Sequence, residues 1–188
     1  MILGLMGTFA SGKSTAAQYF VERGFIELDV DSIGKDALKH LRQEITAEFG
    51  SEILEGEDIA PAKLGNLVFL DEGAMGRLNA LVHPWIKNQV KQRLQSLPGK
   101  DVLVNAAILP QIGLVEFCHR ILLVEADESI LIQRGMERNG FSAPKVKKIL
   151  DLQKRGNAYR EIADDVIVNE GSVEEFYRNL DVYWKSLR

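Results

Sequence analysis

Near the amino terminus the run Gly7-Thr8-Phe9-Ala10-Ser11-Gly12-Lys13-Ser14-Thr15 matches the spacing G-x-x-x-x-G-K-[ST], and each fixed position has a task toward a polyphosphate. Gly7 and Gly12 allow backbone conformations that side chains would block, so that successive N–H groups from Ala10 through Thr15 can converge on phosphate oxygens. Lys13 brings a flexible positive charge to the β and γ phosphates, and Ser14 offers its hydroxyl to magnesium. The helix that starts here turns its positive end toward the anion. On average residue usage such a pattern arises by chance in about one chain in a hundred. Its position after a strand and before a helix weighs further against a glycine turn that binds nothing. Binding of ATP or GTP is the expectation.

Two further groups could do chemistry on a bound triphosphate. Asp29-Val30-Asp31 closes the second expected strand, and alternation of side chains along a strand would turn both carboxylates to one side. One can accept a proton from an attacking hydroxyl while the other holds magnesium through water, which is what phosphoryl transfer to an alcohol requires. In a competing reading Asp31 caps the next helix and Asp29 ends a strand; the phosphate loop favours catalysis. Arg134 and Arg138 are four apart on an expected helix, so they project from one face. On a lid they could close over the triphosphate, neutralise developing charge and exclude water. A solvated charged face is the alternative, evenly balanced for Arg138.

The elements that must position these groups follow from hydrophobic pattern. Ile2 to Met6 reads as a strand, the residues after Lys13 as a helix stopped by Gly24, and Phe25 to Leu28 as a second strand. From 33 to 97 almost nothing resembles a strand, while helical spacing recurs in Leu38, Leu41, Ile45, Phe49 and in Leu78, Leu81, Val82, Trp85, Ile86, Val90. Three or four helices, inserted between the second and third strands, are expected there. Val102 to Val104 and Ile121 to Val124 are short, apolar and unalternating, as buried parallel strands are, and Val166 to Val168 reads as the last strand. Between the last two, residues 127–161 carry helical pattern broken near Asn139-Gly140 and Pro144, a hairpin fit to be a lid. Ser172 with Glu174 and Glu175 announces a C-terminal helix. The sum is a three-layer α/β domain spanning 1–188, with five parallel strands, an insertion at 33–97 and a lid.

Composition limits the partners. The 188 residues suffice for one core with embellishments, and hydrophobic and charged fractions of 46% and 27% are ordinary for a globular protein. A net charge of -4, with Lys and Arg scattered among acids, gives no electrostatic case for nucleic acid or an anionic membrane. No stretch approaches the roughly 20 apolar residues of a transmembrane helix. The single cysteine, Cys118, has no intramolecular disulfide partner and reads as a small buried hydrophobe. A cytoplasmic location is expected; oligomeric state is left open.

Along nearly its whole length the chain resembles the dephospho-coenzyme A kinase family. The resemblance rests on Ser11-Gly12-Lys13-Ser14-Thr15, Leu28-Asp29-Val30-Asp31, Phe49-Gly50-Ser51-Glu52-Ile53-Leu54, His83-Pro84-Trp85-Ile86, Arg134 with Arg138, and Ala163-Asp164-Asp165-Val166-Ile167 leading to Asn169. It implies a P-loop nucleoside-triphosphate hydrolase fold and transfer of the ATP γ-phosphoryl group, with magnesium, to the ribose 3′-hydroxyl of dephospho-coenzyme A. It further implies that Asp31 is the general base, that Arg134 is the lid arginine at the phosphates and that Asn169 lies near the adenine. The helical insertion would cradle the acceptor, with Asp29, Lys35, His83 and Gln111 on the acceptor side. From the residues alone, His83 before Pro84 reads more readily as a helix-end histidine bonded to backbone, and Asn169 as a turn residue.

The chain departs from the family pattern at several places. Thr8, Phe9 and Ala10 replace Gly-Ile-Gly in the loop, and a bulky ring therefore sits at the loop tip. Ala107-Ile108-Leu109-Pro110-Gln111 replaces Pro-Leu-Leu-x-Glu, Lys35 stands for arginine, and Ala62 stands where another arginine is common. Asn105 follows Val104 where a strand usually ends in the Walker B aspartate, so magnesium would rest on Ser14, the nucleotide and water. A shikimate-kinase-like reading lacks its Gly-Gly-x-Gly segment after the third strand. A GTP-dependent switch would carry Asn-Lys-x-Asp, which the sequence lacks. A nucleotide-binding protein without chemistry sits poorly with Lys13, Ser14, Asp29, Asp31 and Arg134 together.

Overall fold

The structure is a computed structural model that describes residues 1–69, 71–154 and 159–187. The chain divides into two compact units, Met1–Leu28 with Leu97–Arg188, and Asp29–Ser96.

The first unit is built on a sheet. Strand β1 (Ile2–Gly7) leads through the glycine loop into helix α1 (Lys13–Val21), and β2 (Ile26–Asp29) follows. The second unit then contributes α2 (Val30–His40), α3 (Arg42–Phe49), a hairpin of β3 (Leu54–Glu55) and β4 (Asp58–Ile59), α4 (Pro61–Val68) and α5 (Glu72–Gln95). The chain returns with β5 (Val102–Asn105), α6 (Leu109–Ile112), β6 (Arg120–Glu125), α7 (Glu128–Asn139), α8 (Ala143–Lys154), α9 (Tyr159–Ile162), β7 (Asp165–Val168) and α10 (Val173–Ser186).

The large sheet has the order β2-β5-β1-β6-β7, with β1 parallel to both its neighbours and β6 parallel to β7. Strands β1, β5 and β6 are largely apolar without alternation because both of their faces are covered, whereas at the edges β2 exposes three of its four residues and β7 two. Helix α1 buries Ala16, Ala17 and Phe20, and α10 buries Phe176, Leu180 and Tyr183 at helical spacing; both meet Leu3, Leu5, Leu103, Leu122 and Val124 of the sheet. Ser172 caps α10 as its sequence suggests, its hydroxyl accepting from the Glu175 N–H at 3.2 Å. The break between α7 and α8 falls at Gly140, which adopts φ +65°, and Pro144 sits inside the first turn of α8. Residues 155–158 of the expected lid lie outside the described residues.

Three expectations need correction in the Asp29–Ser96 unit. The β3–β4 hairpin is a strand pair, though of only two residues a side, in a region where no strand was singled out. The Asp29/Asp31 pair does not lie along a strand. β2 ends at Asp29, whose carboxylate accepts from the Asp31 N–H at 3.1 Å and so caps α2. Asp31 therefore stands in the first turn of a helix, and the alternation argument for two carboxylates on one side fails. Helix α5 runs unbroken through Pro84, with Asp71 as its cap, which places His83 in mid-helix and not at a helix end. Among the described residues, no helix is long and apolar enough to cross a membrane.

Candidate active site

The loop between β1 and α1 lies at the carboxyl end of the central strand, where open parallel sheets bind ligands. Gly12 is the N-cap of α1 at φ +102°, and a Cβ there would fall 2.3 Å from the Asn169 Nδ2. Gly7 serves the loop through space and not through its φ: an added Cβ would meet the Ser11 hydroxyl at 2.6 Å and the Val124 carbonyl at 2.8 Å. Between them Ala10 takes φ 63°, a left-handed conformation that costs a residue with a Cβ roughly 1–2 kcal/mol. The Ser11 hydroxyl is fully buried and, among the described residues, has no hydrogen-bond partner. Such a hydroxyl costs about 1–3 kcal/mol. Strain at Ala10 and an unpaired buried hydroxyl at Ser11 thus coincide in the loop, the place where the sequence pattern puts the phosphates.

Around the loop, contacts are close. Lys13 donates from Nζ to Oδ1 of Asn105 at 2.5 Å, and Asn105 donates from Nδ2 to Glu27 at 2.6 Å. Ser14 is exposed in the first turn of α1. Asn169 is only 8% exposed; its Nδ2 donates to the Ser11 carbonyl at 2.8 Å, and its own carbonyl accepts from Arg134 Nη1 at 2.9 Å. It is a brace between loop, sheet and α7, which a plain turn residue would not be. The Phe9 ring is not over the loop mouth. It stacks 6.1 Å from Phe141 in a small apolar cluster with Leu131, Val146 and Leu150, and the Phe9 N–H donates to Gln153 Oε1 at 2.7 Å.

Asn169 and Arg134 border a cleft of about 410 Å³. It gathers the expected residues Ala10, Gly12, Thr15, Arg134, Arg138 and Asn169, and adds Phe176 and Val173 of α10, which no motif flagged. Arg134 and Arg138 do share one face of α7, and both reach the cleft. A loop rich in backbone donors, a lysine and two guanidinium groups beside a partly apolar slot can hold a phosphate chain carrying a planar base.

The remaining candidates lie elsewhere in the chain. Gln111 is exposed on the short α6. Asp29, Asp31, Lys35 and His83 belong to the Asp29–Ser96 unit, where the first three are exposed on or beside α2 and His83 is half-buried on α5. Glu27 and Asn105 were not singled out by any motif as partners, since only the fold brings them to Lys13. Cys118 is largely buried, and burial pushes its thiol up to about 12, which makes it a poor nucleophile at neutral pH.

With this geometry in hand, comparison with known proteins points one way. Residues 1–175 match the model of the family described as Dephospho-CoA kinase. A dephospho-CoA kinase of Fusobacterium nucleatum is 31% identical over 100% of this chain and 98% of its own length. One from Geobacillus kaustophilus is 33% identical over 96% and 93%. A Thermus thermophilus crystal structure superposes with TM-score 0.85 at 29% identity, covering 100% of this chain and 98% of the other. The dephospho-CoA kinase of Campylobacter jejuni (TM-score 0.70, 23% identity, 99% of this chain and 96% of the other) and a shikimate kinase of Acinetobacter baumannii (TM-score 0.55, 18% identity, 98% and 93%) share the fold. Since the family model runs from the first strand into α10, whose Val173 lines the cleft, and full-length relatives agree with it, the chain belongs to the dephospho-CoA kinase family.

Proposed function

We propose that this chain moves the γ-phosphoryl group of ATP onto the ribose 3′-hydroxyl of dephospho-coenzyme A, giving coenzyme A and ADP. ATP-dependent phosphorylation of dephospho-coenzyme A is the family's reaction, and the observation that carries its donor half is the loop geometry: Gly12 opens α1 at φ +102° just ahead of Lys13, and Ala10, Gly12 and Thr15 line a cleft with Arg134 and Arg138.

In the proposed sequence, N–H groups of the loop from Ala10 to Thr15 and the Lys13 ammonium take the β and γ phosphates. Arg134 and Arg138 meet the charge that grows as the bond from the γ-phosphorus to the bridging oxygen breaks. Asp31 takes the proton of the 3′-hydroxyl while that oxygen forms the new bond to phosphorus, and ADP leaves with the electron pair. Lys35, His83, Gln111 and Asp29 would contact the acceptor, Lys35 as a point charge and not a bidentate fork. Asn169 would border the adenine while bracing the loop. Electrostatics offers no case for nucleic acid as partner.

Magnesium fits as an ion that arrives with the nucleotide. Among the described residues, no group of three or more His, Cys, Asp or Glu side chains stands close enough to hold a metal unaided. Ser14 presents an exposed hydroxyl at the loop's exit, so phosphate oxygens and water would complete the shell. Bound there, the ion would neutralise charge on the β and γ oxygens.

An acceptor panel tests the reading: dephospho-coenzyme A, shikimate and a nucleoside monophosphate, each incubated with ATP and magnesium and assayed for phosphorylated product. Coenzyme A alone is expected to form. Phosphorylated shikimate, or no transfer beyond slow ATP hydrolysis, would replace this proposal with one of its rivals.

A further inference from the structure

Asn105 closes β5 with only 6% of its surface exposed, and its amide bridges two ions of opposite sign. Lys13 Nζ donates to its oxygen at 2.5 Å, and its nitrogen donates to Glu27 Oε1 at 2.6 Å. The two ends of this amide are not interchangeable. An ammonium only donates and a carboxylate only accepts, so the oxygen must face Lys13 and the NH2 must face Glu27. Rotating the amide by half a turn would set N–H against ammonium and oxygen against carboxylate, two repulsions at once. Glu27 therefore locks the direction of Asn105, and Asn105 in turn presents a fixed acceptor to Lys13.

Lys13 carries its charge on four flexible methylenes, and holding it in advance removes freedom that would otherwise be lost when phosphate binds. A neutral amide does this without cancelling the charge, as a carboxylate in the same place would. We propose that Glu27, an exposed residue on the edge strand β2, is a positioning residue for phosphoryl transfer: through the Asn105 amide it aims Lys13 at the donor's β and γ phosphates. The inference rests on the reading of Lys13 as the phosphate lysine, which the test checks separately.

Steady-state kinetics with ATP varied and dephospho-coenzyme A saturating, on the full chain, supply that test. Glu27→Val, a substitution suited to an edge strand, removes the acceptor and is expected to lower kcat/KM for ATP about tenfold. Glu27→Gln keeps an oxygen for the Asn105 NH2, and the lysine still forbids the flipped arrangement, so most of that loss should be recovered. KM for dephospho-coenzyme A should stay within about twofold in both, because the relay touches only the donor side. In a Lys13→Ala background Glu27→Val should add nothing. Glu27→Val with near-parental kcat/KM, Glu27→Gln as impaired as Glu27→Val, or an additive loss on Lys13→Ala would each overturn the relay. Should Glu27→Val lose its thermal transition, Glu27→Thr, with the same edge-strand preference, takes its place. A Lys13→Ala enzyme that retains most of its activity would instead remove the reading of Lys13, and the inference with it.

Discussion

In the unit that carries the phosphate loop, Lys13, Ser11 and Arg134 are tied down by partners far away in sequence; in the Asp29–Ser96 unit, two of the four candidates, Asp31 and Lys35, ride on exposed helical positions. Lys13 is held from 92 residues away by Asn105, Ser11 from 158 away by Asn169, and Arg134 from 35 away by the Asn169 carbonyl. Asp31 and Lys35 are exposed on α2. The first arrangement suits a ligand whose phosphates and charge are the same on every turnover, since donors fixed in advance lose little on binding. On the proposed function, the exposed Asp31 and Lys35 would adjust to a bulky, flexible acceptor.

The largest effect that would break this division comes from Asp31→Asn. If the helix-borne carboxylate serves only the acceptor, turnover should fall by about 10²–10⁴-fold while the dissociation constant for ATP shifts little. Single-turnover assays and ATP binding by calorimetry read the two separately. Weakened ATP binding with modest loss of turnover would make Asp31 a donor-side group, and near-parental turnover would remove it as the base.

The same contrast explains what the sequence disclosed. The phosphate loop was legible because its chemistry is local: Gly12 must take φ +102°, and Lys13 and Ser14 follow it directly. The sheet was legible because strands covered on both faces must be apolar throughout, and α10 because Ser172 signals its own cap. The β3–β4 hairpin was hidden by its length, two residues a side being too few for any alternation to show. Asp29 and Asp31 both suit a helix start, and only the backbone reveals that Asp29 is the cap. Asn169, Glu27 and Asn105 were illegible as partners because their roles are tertiary. Nothing in Val-Ile-Val-Asn says that the asparagine will reach the loop's backbone. Phe9 read only as a bulky ring at the loop tip, because the apolar cluster that receives it is assembled from α7 and α8.

A middle-sized effect sharpens the view of the donor side as a packed device. Gly135 on α7 faces Phe9 so closely that a Cβ would lie 2.8 Å from the ring and 2.9 Å from a methyl of Val146. Gly135→Ala should therefore cost about 1–3 kcal/mol by overpacking, seen as a lower urea midpoint. Adding Phe9→Leu should return part of that loss relative to the Phe9→Leu single variant, and only part, because Val146 remains. Full additivity of the two substitutions would mean that loop tip and α7 do not interlock.

The smallest effect probes the loop's own strain. Ala10 holds φ 63° beside the donor cleft, a conformation glycine adopts without penalty. Ala10→Gly relieves that strain but gives the unfolded chain more freedom, two terms of opposite sign; at a positive φ the strain outweighs the entropy. A net gain of up to about 1 kcal/mol is expected, measured as a higher urea midpoint at unchanged slope. The lid contacts of Phe9 and the Asn169 brace would then be what keeps an alanine where the backbone prefers glycine. A lower midpoint would show that the chain's departure from glycine stabilises the loop, and that rigidity on the donor side comes from the loop's residues themselves and not from the partners that surround them.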